Sequence, residues 1–358
     1  DGKYYYIYTN FYRRGVDFLF PCFYFTSIMI LLQLFGAEKI PLIKEALMDL
    51  DAKAPPLILW AVPFLIFFSL LEMLIAYLQD RKYYEAKETW GSLWVGIGNL
   101  VISAAVKVGL LYVVVWIYNL VPWRMELHYD QSPFSWSSYW WLFIPCYIIY
   151  DLCSYWAHRI SHEHRFWWAT HVVHHSGEHY NLTVSFRQSW VQHLKVIFFL
   201  PIAFMGFHPI IFFITNQVAV LFQFWVHTEY IRKLPAWVEY VFATPSNHRV
   251  HHGSNEQYLD KNYGATFIFW DRIWKTYEPE VEPVRYGITT NIEQKSNPIF
   301  INFHEYKDIL KDMREAKGFR QKWFMVFGSP VAIYERKLKQ QDAARDVDSV
   351  KEVKEAAS

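Results

Sequence analysis

Eight of the fifteen histidines of this chain fall into three strings: HRISH (158–162), HVVHH (171–175) and HRVHH (248–252). Residues three and four apart share a helix face, so His158 with His162, and His171 with His174 and His175, are expected to project their rings in one direction. His248, His251 and His252 repeat the second pattern. Eight neutral imidazoles exceed what one four- to six-coordinate ion accepts, and imidazole suits iron, copper, nickel and zinc. The expectation is therefore two adjacent metal ions. His227, in FWVHTE, is a ninth candidate ligand, and His179, in SGEHYN, falls in a loop just past the second string. His128, His164, His193, His208 and His304 lack this spacing and read as ordinary core or surface residues.

Metal-bound imidazoles commonly donate their second N–H to a carboxylate or carbonyl, which fixes tautomer and ring orientation. Asp151 lies seven residues before His158, two turns up the same helix and inside an apolar segment. Intramembrane carboxylates are costly and so are functional candidates. Asp151 is the first choice for this supporting role, with Glu229, Asp260 and Asp271 behind it. Glu72 and Lys107, also in apolar segments, are expected to pair with each other structurally.

A nitrogen-rich, carboxylate-poor centre facing lipid suggests oxygen activation, because breaking an unactivated C–H bond needs a metal–oxygen species that no side chain supplies. Iron is the expected metal, two ions per chain, with zinc an alternative occupant after purification. A hydrolytic dizinc site usually brings carboxylate bridges and would not need eight histidines. Oxidation by dioxygen also consumes two external electrons per turnover. The chain has neither a Gly-rich dinucleotide fingerprint nor a haem-attachment motif, so a separate donor is implied, either an electron-transfer protein or a reduced pterin.

The elements that must position these residues are apolar. Of 358 residues, 53% are hydrophobic, 20% aromatic and 19% charged, which is too apolar for a typical soluble domain. The apolar residues form blocks near the roughly 20 residues that cross ~30 Å of hydrocarbon: Val16–Gly36, Pro55–Leu78, Leu93–Val121 and Tyr139–Ala157. Trp190–Gly206 and Pro209–Val226 follow, joined by a tight turn at Phe207 and His208, as a hairpin that crosses or re-enters. Lys and Arg counts favour both termini inside, which places all three strings on the cytoplasmic side. The helix through Tyr139–Ala157 should continue outward to carry His158 and His162. Thr244-Pro245 reads as an N-cap followed by proline at the first helical position, which starts a helix just before His248.

Cys22, Cys146 and Cys153 sit in apolar segments, so a disulfide framework is not expected, and no cysteine is available for a mixed Cys/His zinc site. The net charge of +1 gives no nucleic-acid footprint. The chain starts with Asp1, and nothing there reads as a cleavable signal. Lys337–Ser358 reads as a frayed or solvated helix.

The three strings resemble the histidine boxes of the fatty acid hydroxylase/sterol desaturase superfamily of membrane di-iron enzymes. From Asp151 to about Glu278 the flanking strings YNLTVSFRQS (180–189), FWVHTEYI (224–231), TPSNHRVHHGSN (244–255) and DKNYGATFIFWDRIWKTYEPE (260–280) are similar to its ether-lipid monooxygenase branch. The resemblance implies a di-iron centre held by the eight boxed histidines, oxygen-dependent hydroxylation of a membrane lipid and, for that branch, tetrahydrobiopterin as reductant. It places His227 among the ligands. It also draws Asn181, Arg187, Gln188, Asn262 and Tyr263 into the site, with Arg187 a candidate for holding a phosphate or carboxylate head group.

The expected fold is an all-α integral membrane protein with about four to six transmembrane or re-entrant helices and a cytoplasmic histidine-rich di-metal domain. Its expected divisions are a transmembrane region 1–157, a catalytic region 158–282 with the hairpin near 190–226, and a cytoplasmic tail 283–358. The membrane is the endoplasmic reticulum in a eukaryote or the inner membrane in a bacterium. Lipid hydroxylation with dioxygen is the leading activity. Desaturation with the same centre and a non-catalytic metal-binding membrane subunit are the rivals.

Overall fold

The computed structural model describes residues 55–125 and 136–339. The apolar block Val16–Gly36, Cys22 and His128 lie outside the described residues, as do the side chain of Lys107 and the chain beyond residue 339.

Among the described residues the protein is helical, with one isolated bridge between Phe242 and Phe267 and no strand. Helix α1 (Leu57–Leu78) is apolar on every face, yet only Ser69, Glu72 and Ala76 are buried, one stripe at helical spacing. Phe64, Phe67, Leu70 and Leu74 stand exposed. A continuous apolar surface of that size is stable only against hydrocarbon or a partner of equal apolarity. Helix α2 (Ala86–Leu120) has 35 residues, roughly 50 Å at 1.5 Å per residue, and so extends beyond a bilayer core. Leu57–Leu78 and the Ala86–Val106 part of α2 are the two described stretches long and apolar enough to cross a membrane. Gly109–Leu120, Gln192–Phe204 and Pro209–Trp225 are apolar but shorter.

Helix α3 (Trp136–Glu163) runs without interruption from the apolar core into the first histidine string. Short helices α4 (Arg165–Ala169) and α5 (Val172–His175) follow. The hairpin departs from plain α-helix: Gln192–Phe199 is 3₁₀, then α6 (Leu200–Phe204) leads to the turn, and α7 (Pro209–Trp225) returns. Gly206 turns with φ +84° while its carbonyl accepts from Met125 N–H, and His208 Nδ1 then caps Ile210 N–H. Val114, Cys146, Tyr150, Ile202, Phe207, Ile211 and Ile214 join α2, α3 and the hairpin in one apolar core. Gly98 lets Trp190 lie against α2, since a Cβ there would stand 2.4 Å from the indole.

Helices α8 (Ala236–Val241), α9 (Pro245–His251) and α10 (Phe269–Ile273) complete the histidine region. The 283–358 stretch contains two further helices, α11 (Pro298–Glu315) and α12 (Phe319–Phe327), packed on the rest. Their anchor is buried Arg165, which donates to Glu305 at 2.6 Å, Asp312 at 2.5 Å and the Met325 carbonyl at 3.1 Å. These contacts tie part of the expected tail 283–358 to the histidine region, although Glu305 lies 140 residues from Arg165 in sequence.

Candidate metal centre

All nine candidate histidines converge. His158, His162, His171, His175 and His251 form one group, and His174, His227, His248 and His252 another. Within each group the ring nitrogens lie within 4.8 Å of one another. Helix geometry sorts them. The i,i+4 pairs His158/His162, His171/His175 and His248/His252 each stay in one group. The remaining members of the second and third strings, His174 and His251, lie about 100° around the helix from His175 and His252 and cross to the other group. This corrects the expectation that all members of one string project together.

The spacing within the groups is that of a coordination shell. Nε2···Nε2 separations are 3.0 Å for His248–His227, 3.1 Å for His227–His174 and 3.1 Å for His174–His252. In the other group they are 3.0 Å for His251–His175 and 3.1 Å for His175–His171. Two nitrogens at ~2.1 Å from one ion and at a right angle stand about 3.0 Å apart. His158 Nε2 and His162 Nε2 are buried with no hydrogen-bond partner, a costly state that an ion would relieve. The donor set therefore fits a pair of imidazole-preferring transition ions.

Three of the second nitrogens are held by backbone carbonyls, while His174 Nδ1 and His248 Nδ1 are buried with no hydrogen-bond partner. His158 Nδ1 lies 2.8 Å from the Tyr263 carbonyl, His251 Nδ1 3.0 Å from that of Lys261, and His227 Nδ1 2.7 Å from that of Gln223. Thr244 caps α9 by accepting from Asn247 N–H at 3.2 Å, with Pro245 at the first position, as the sequence predicts. Burial holds His158, His171, His174, His175, His248, His251 and His252 well below the ordinary imidazole range, with repulsion from neighbouring positive centres adding to the effect. Burial pushes His227 down to about 4. These rings are neutral near pH 7, the form that binds metal.

The acidic candidates divide. Asp260 Oδ1 lies 3.3 Å from His162 Nδ1. Asp151 touches no histidine: it accepts from Thr266 N–H, Phe267 N–H and Trp270 Nε1–H at 2.8, 3.1 and 3.0 Å. Asp271 accepts from Tyr263 N–H and Gly264 N–H, both at 2.7 Å, and from the Thr276 hydroxyl. These two acids clamp the loop that presents the Tyr263 carbonyl, and so act on the histidines through backbone. Glu229 accepts from the Tyr286 hydroxyl. Glu72 is satisfied by Tyr84, Thr228 and Leu182 N–H, which accounts for it without Lys107.

Arg187 is not a head-group site. It is fully buried, and its guanidinium donates to the Val173 carbonyl at 2.8 Å and to Ser176 Oγ at 2.9 Å, bracing the second string from behind. Burial lowers it to about 10, so it remains charged near neutral pH. Asn181 caps the 3₁₀ turn Leu182–Phe186 and donates to the Tyr83 carbonyl, and Gln188 donates to the Ser185 carbonyl. Asn262, with φ +57°, ties the loop to Asn247 and Glu278. The Tyr263 ring lies 5.3 Å from that of His162.

His179 stands apart, bonded to buried Glu88 at 2.9 Å. His164, His193, His208 and His304 likewise make local contacts away from both groups. Sequence reasoning missed Tyr180, whose ring stacks on Tyr286 at 4.8 Å and lies 5.2 Å from His252. An isolated tyrosine in a loop carries no signal of that placement.

Residues 143–276 match the family model described as fatty acid hydroxylase. The chain is 34% identical over 286 residues to an alkylglycerol monooxygenase of Homo sapiens, covering 78% of this chain and 60% of that protein. It is 36% identical over 266 residues to one of Xenopus tropicalis, covering 73% and 56%. It is 27% identical over 150 residues to an ornithine lipid hydroxylase of Rhizobium tropici, covering 40% and 45%. The chain thus spans less than two thirds of the length of these relatives. No solved structure matches it.

Proposed function

We propose that this chain, which matches the fatty acid hydroxylase model over residues 143–276, is a member of that family and an oxygen-dependent membrane lipid hydroxylase whose two imidazole groups hold a pair of iron ions. The observation that carries the reading is the adjacency of the groups: chain neighbours His174 and His175 serve one each. When bound, the iron pair supplies the oxygen-activating redox chemistry that side chains lack. The overall change is R–H + O₂ + 2e⁻ + 2H⁺ → R–OH + H₂O, with the electrons drawn from tetrahydrobiopterin or an electron-transfer protein. On a carbon beside an ether oxygen the product is a hemiacetal, which falls apart to an aldehyde and an alcohol.

The residues of the chain have positional tasks. The backbone carbonyls of Gln223, Lys261 and Tyr263 orient His227, His251 and His158. Burial keeps the imidazoles neutral and bulk water away from them. The exposed apolar faces of α1 and α2 let a lipid approach sideways from the bilayer. The relatives named alkylglycerol monooxygenase and ornithine lipid hydroxylase support hydroxylation over desaturation. An orientation with the histidine region in the cytoplasm, in the endoplasmic reticulum or a bacterial inner membrane, completes the proposal, with α3 crossing and the short hairpin re-entering.

The test is anaerobic purification with metal analysis, followed by reaction with dioxygen and reduced pterin and mass spectrometry of added alkylglycerol. Two irons per chain and an oxygen-dependent aldehyde product are expected. One metal per chain, or a product profile identical to that of His174→Ala, would overturn the reading.

A further inference from the structure

Helix α11 presents two apolar faces, and the fold covers one of them. Ile301 and Ile309 are buried, on the side that also carries Glu305 and Asp312 to Arg165. Ile299, Phe303 and Leu310 are instead 63, 40 and 54% exposed. At about 100° per residue these three fall within about 40° of one another around the helix. Exposed Arg314, Lys307 and Lys311 fill the next arc on one side of this stripe, roughly 60° wide, and exposed Asp308 and Glu315 lie beyond them.

The helix sits where a bilayer surface would pass. Trp190 Nε1–H donates to the Val95 carbonyl at 2.9 Å and its backbone N–H to Asn302 Oδ1 at 2.8 Å, while its ring lies 6.1 Å from that of Phe303. Val95 belongs to the membrane-long stretch Ala86–Val106, and Ile301 packs in one cluster with it. Earlier in that stretch buried Glu88 bonds His179 and Lys295, and between Glu88 and Val95 the rings of Trp90 and Trp94 stand exposed. A carboxylate network followed by exposed tryptophans marks the end of a span, because indoles gather at the level of the head groups.

An apolar stripe bordered by bases, with acids turned farther away, is the pattern of a helix lying in a lipid surface. Its apolar side chains enter the acyl boundary while Lys and Arg reach toward the phosphates. We propose that α11 lies along the bilayer surface, with Ile299, Phe303 and Leu310 in the boundary between head groups and acyl chains and Lys307, Lys311 and Arg314 against the phosphates of anionic lipid. Because Glu305 and Asp312 of the same helix hold Arg165, which follows His162 by three residues, this contact sets the depth of the histidine region against the bilayer. The proposal rests on the membrane reading and on no step of the oxidation.

The experiment places the environment-sensitive fluorophore NBD on single cysteines of the full metal-loaded chain in nanodiscs. Cys146 and Cys153 are buried, so a Cys22→Ala background suffices. The labelled variants are Phe303→Cys, Leu310→Cys and Asp308→Cys, with Phe67→Cys, exposed on α1, as the reference for a spanning helix. Nitroxide lipids quench from the bilayer and iodide quenches from water. The labels at 303 and 310 are expected to respond to a nitroxide near the head of the acyl chain, the label at 67 to one near its end, and the label at 308 to iodide. Iodide quenching at 303 and 310 overturns the proposal. So does silence of both quenchers there, which would mean that a second copy or another segment of the chain covers the stripe. If the label at 67 meets no lipid, the membrane reading itself fails. In mixed nanodiscs, nitroxide phosphatidylglycerol should quench the label at 310 about fivefold more effectively per molecule than nitroxide phosphatidylcholine, the effect of about one base near an anionic surface. Joint Lys307→Gln, Lys311→Gln and Arg314→Gln substitution should bring the two lipids level, at unchanged metal content and unchanged quenching at 67. Equal quenching by both lipids in the chain that keeps its bases overturns the phosphate contact.

Discussion

His174 and His175 are consecutive residues on the single turn of α5, yet their rings belong to different groups: His174 Nε2 lies 3.1 Å from His227 Nε2, and His175 Nε2 lies 3.0 Å from His251 Nε2. Adjacent helical residues point about 100° apart, so one short turn can place donors at two neighbouring ions and fix the distance between them.

Single alanine substitutions should therefore separate the two ions. His174→Ala removes a donor from the group of four and His175→Ala one from the group of five. Each should lower metal content toward one ion per chain and reduce lipid oxidation at least about 100-fold, the upper range seen for losses that disturb metal ligation. His179→Ala, outside both groups, should retain both ions. Metal analysis of the three purified proteins decides it, and equal metal content in His174→Ala and the wild type would count against the assignment.

The acid inside helix α3 gives a different test. Asp151 accepts three N–H groups from the loop that also presents the Tyr263 carbonyl to His158. Asp151→Asn replaces one acceptor oxygen with a donor that faces another donor. The loss should be about 2–3 kcal/mol of stability, and a slack loop should weaken metal binding about 10–100-fold. Thermal unfolding and chelator competition measure the two effects. A drop in activity at full stability and metal affinity would instead mean that Asp151 touches substrate.

Much of the centre was legible in the sequence because metal ligation demands particular residue types at helical spacing, and few other functions concentrate histidine in that way. The i,i+4 pairs and the Thr244-Pro245 helix start follow from local geometry, and the family resemblance adds His227. What was not legible depends on contacts distant in sequence. Asp151 looked like a direct partner of His158 because both lie on one helix, but its acceptors face a loop 115 residues away. Arg187 looked like a head-group cation because it lies just outside an apolar segment; in the folded chain it is buried against Val173 and Ser176 of the second histidine string. Helices α11 and α12 fell within the expected cytoplasmic tail 283–358 for the corresponding reason, since Glu305 and Asp312 of α11 meet Arg165 only in the folded chain.

Acid should weaken the metal-free protein within a defined window. Burial holds His227 near 4 and keeps seven other ligand candidates well below the unfolded value of about 6.5. Between the folded and unfolded values the unfolded chain binds more protons, so stability is fully present above about pH 6.5 and declines as the pH falls toward 4. His227 alone contributes about 3 kcal/mol across that interval. The unfolding midpoint of metal-free protein, followed from pH 7.5 to 5, should drop steadily. A flat midpoint would mean that the rings are more hydrated than the structure shows.

Arg187 separates structural bracing from substrate binding. Its guanidinium spans the Val173 carbonyl and Ser176 Oγ, both in the backbone path of the second string. Arg187→Met leaves Ser176 Oγ without its charged donor and the Val173 carbonyl with only the Ser176 hydroxyl, at about 1–3 kcal/mol in all, and frees the turn that aims His174 and His175. The expected result is a lower unfolding temperature and reduced metal occupancy, while the metal-loaded fraction keeps its relative affinity for anionic and neutral lipids. Titrating that fraction with dodecyl phosphate and dodecanol provides the check. If anion affinity alone falls, with melting and metal content intact, the guanidinium reaches the lipid and the bracing role assigned to it is wrong.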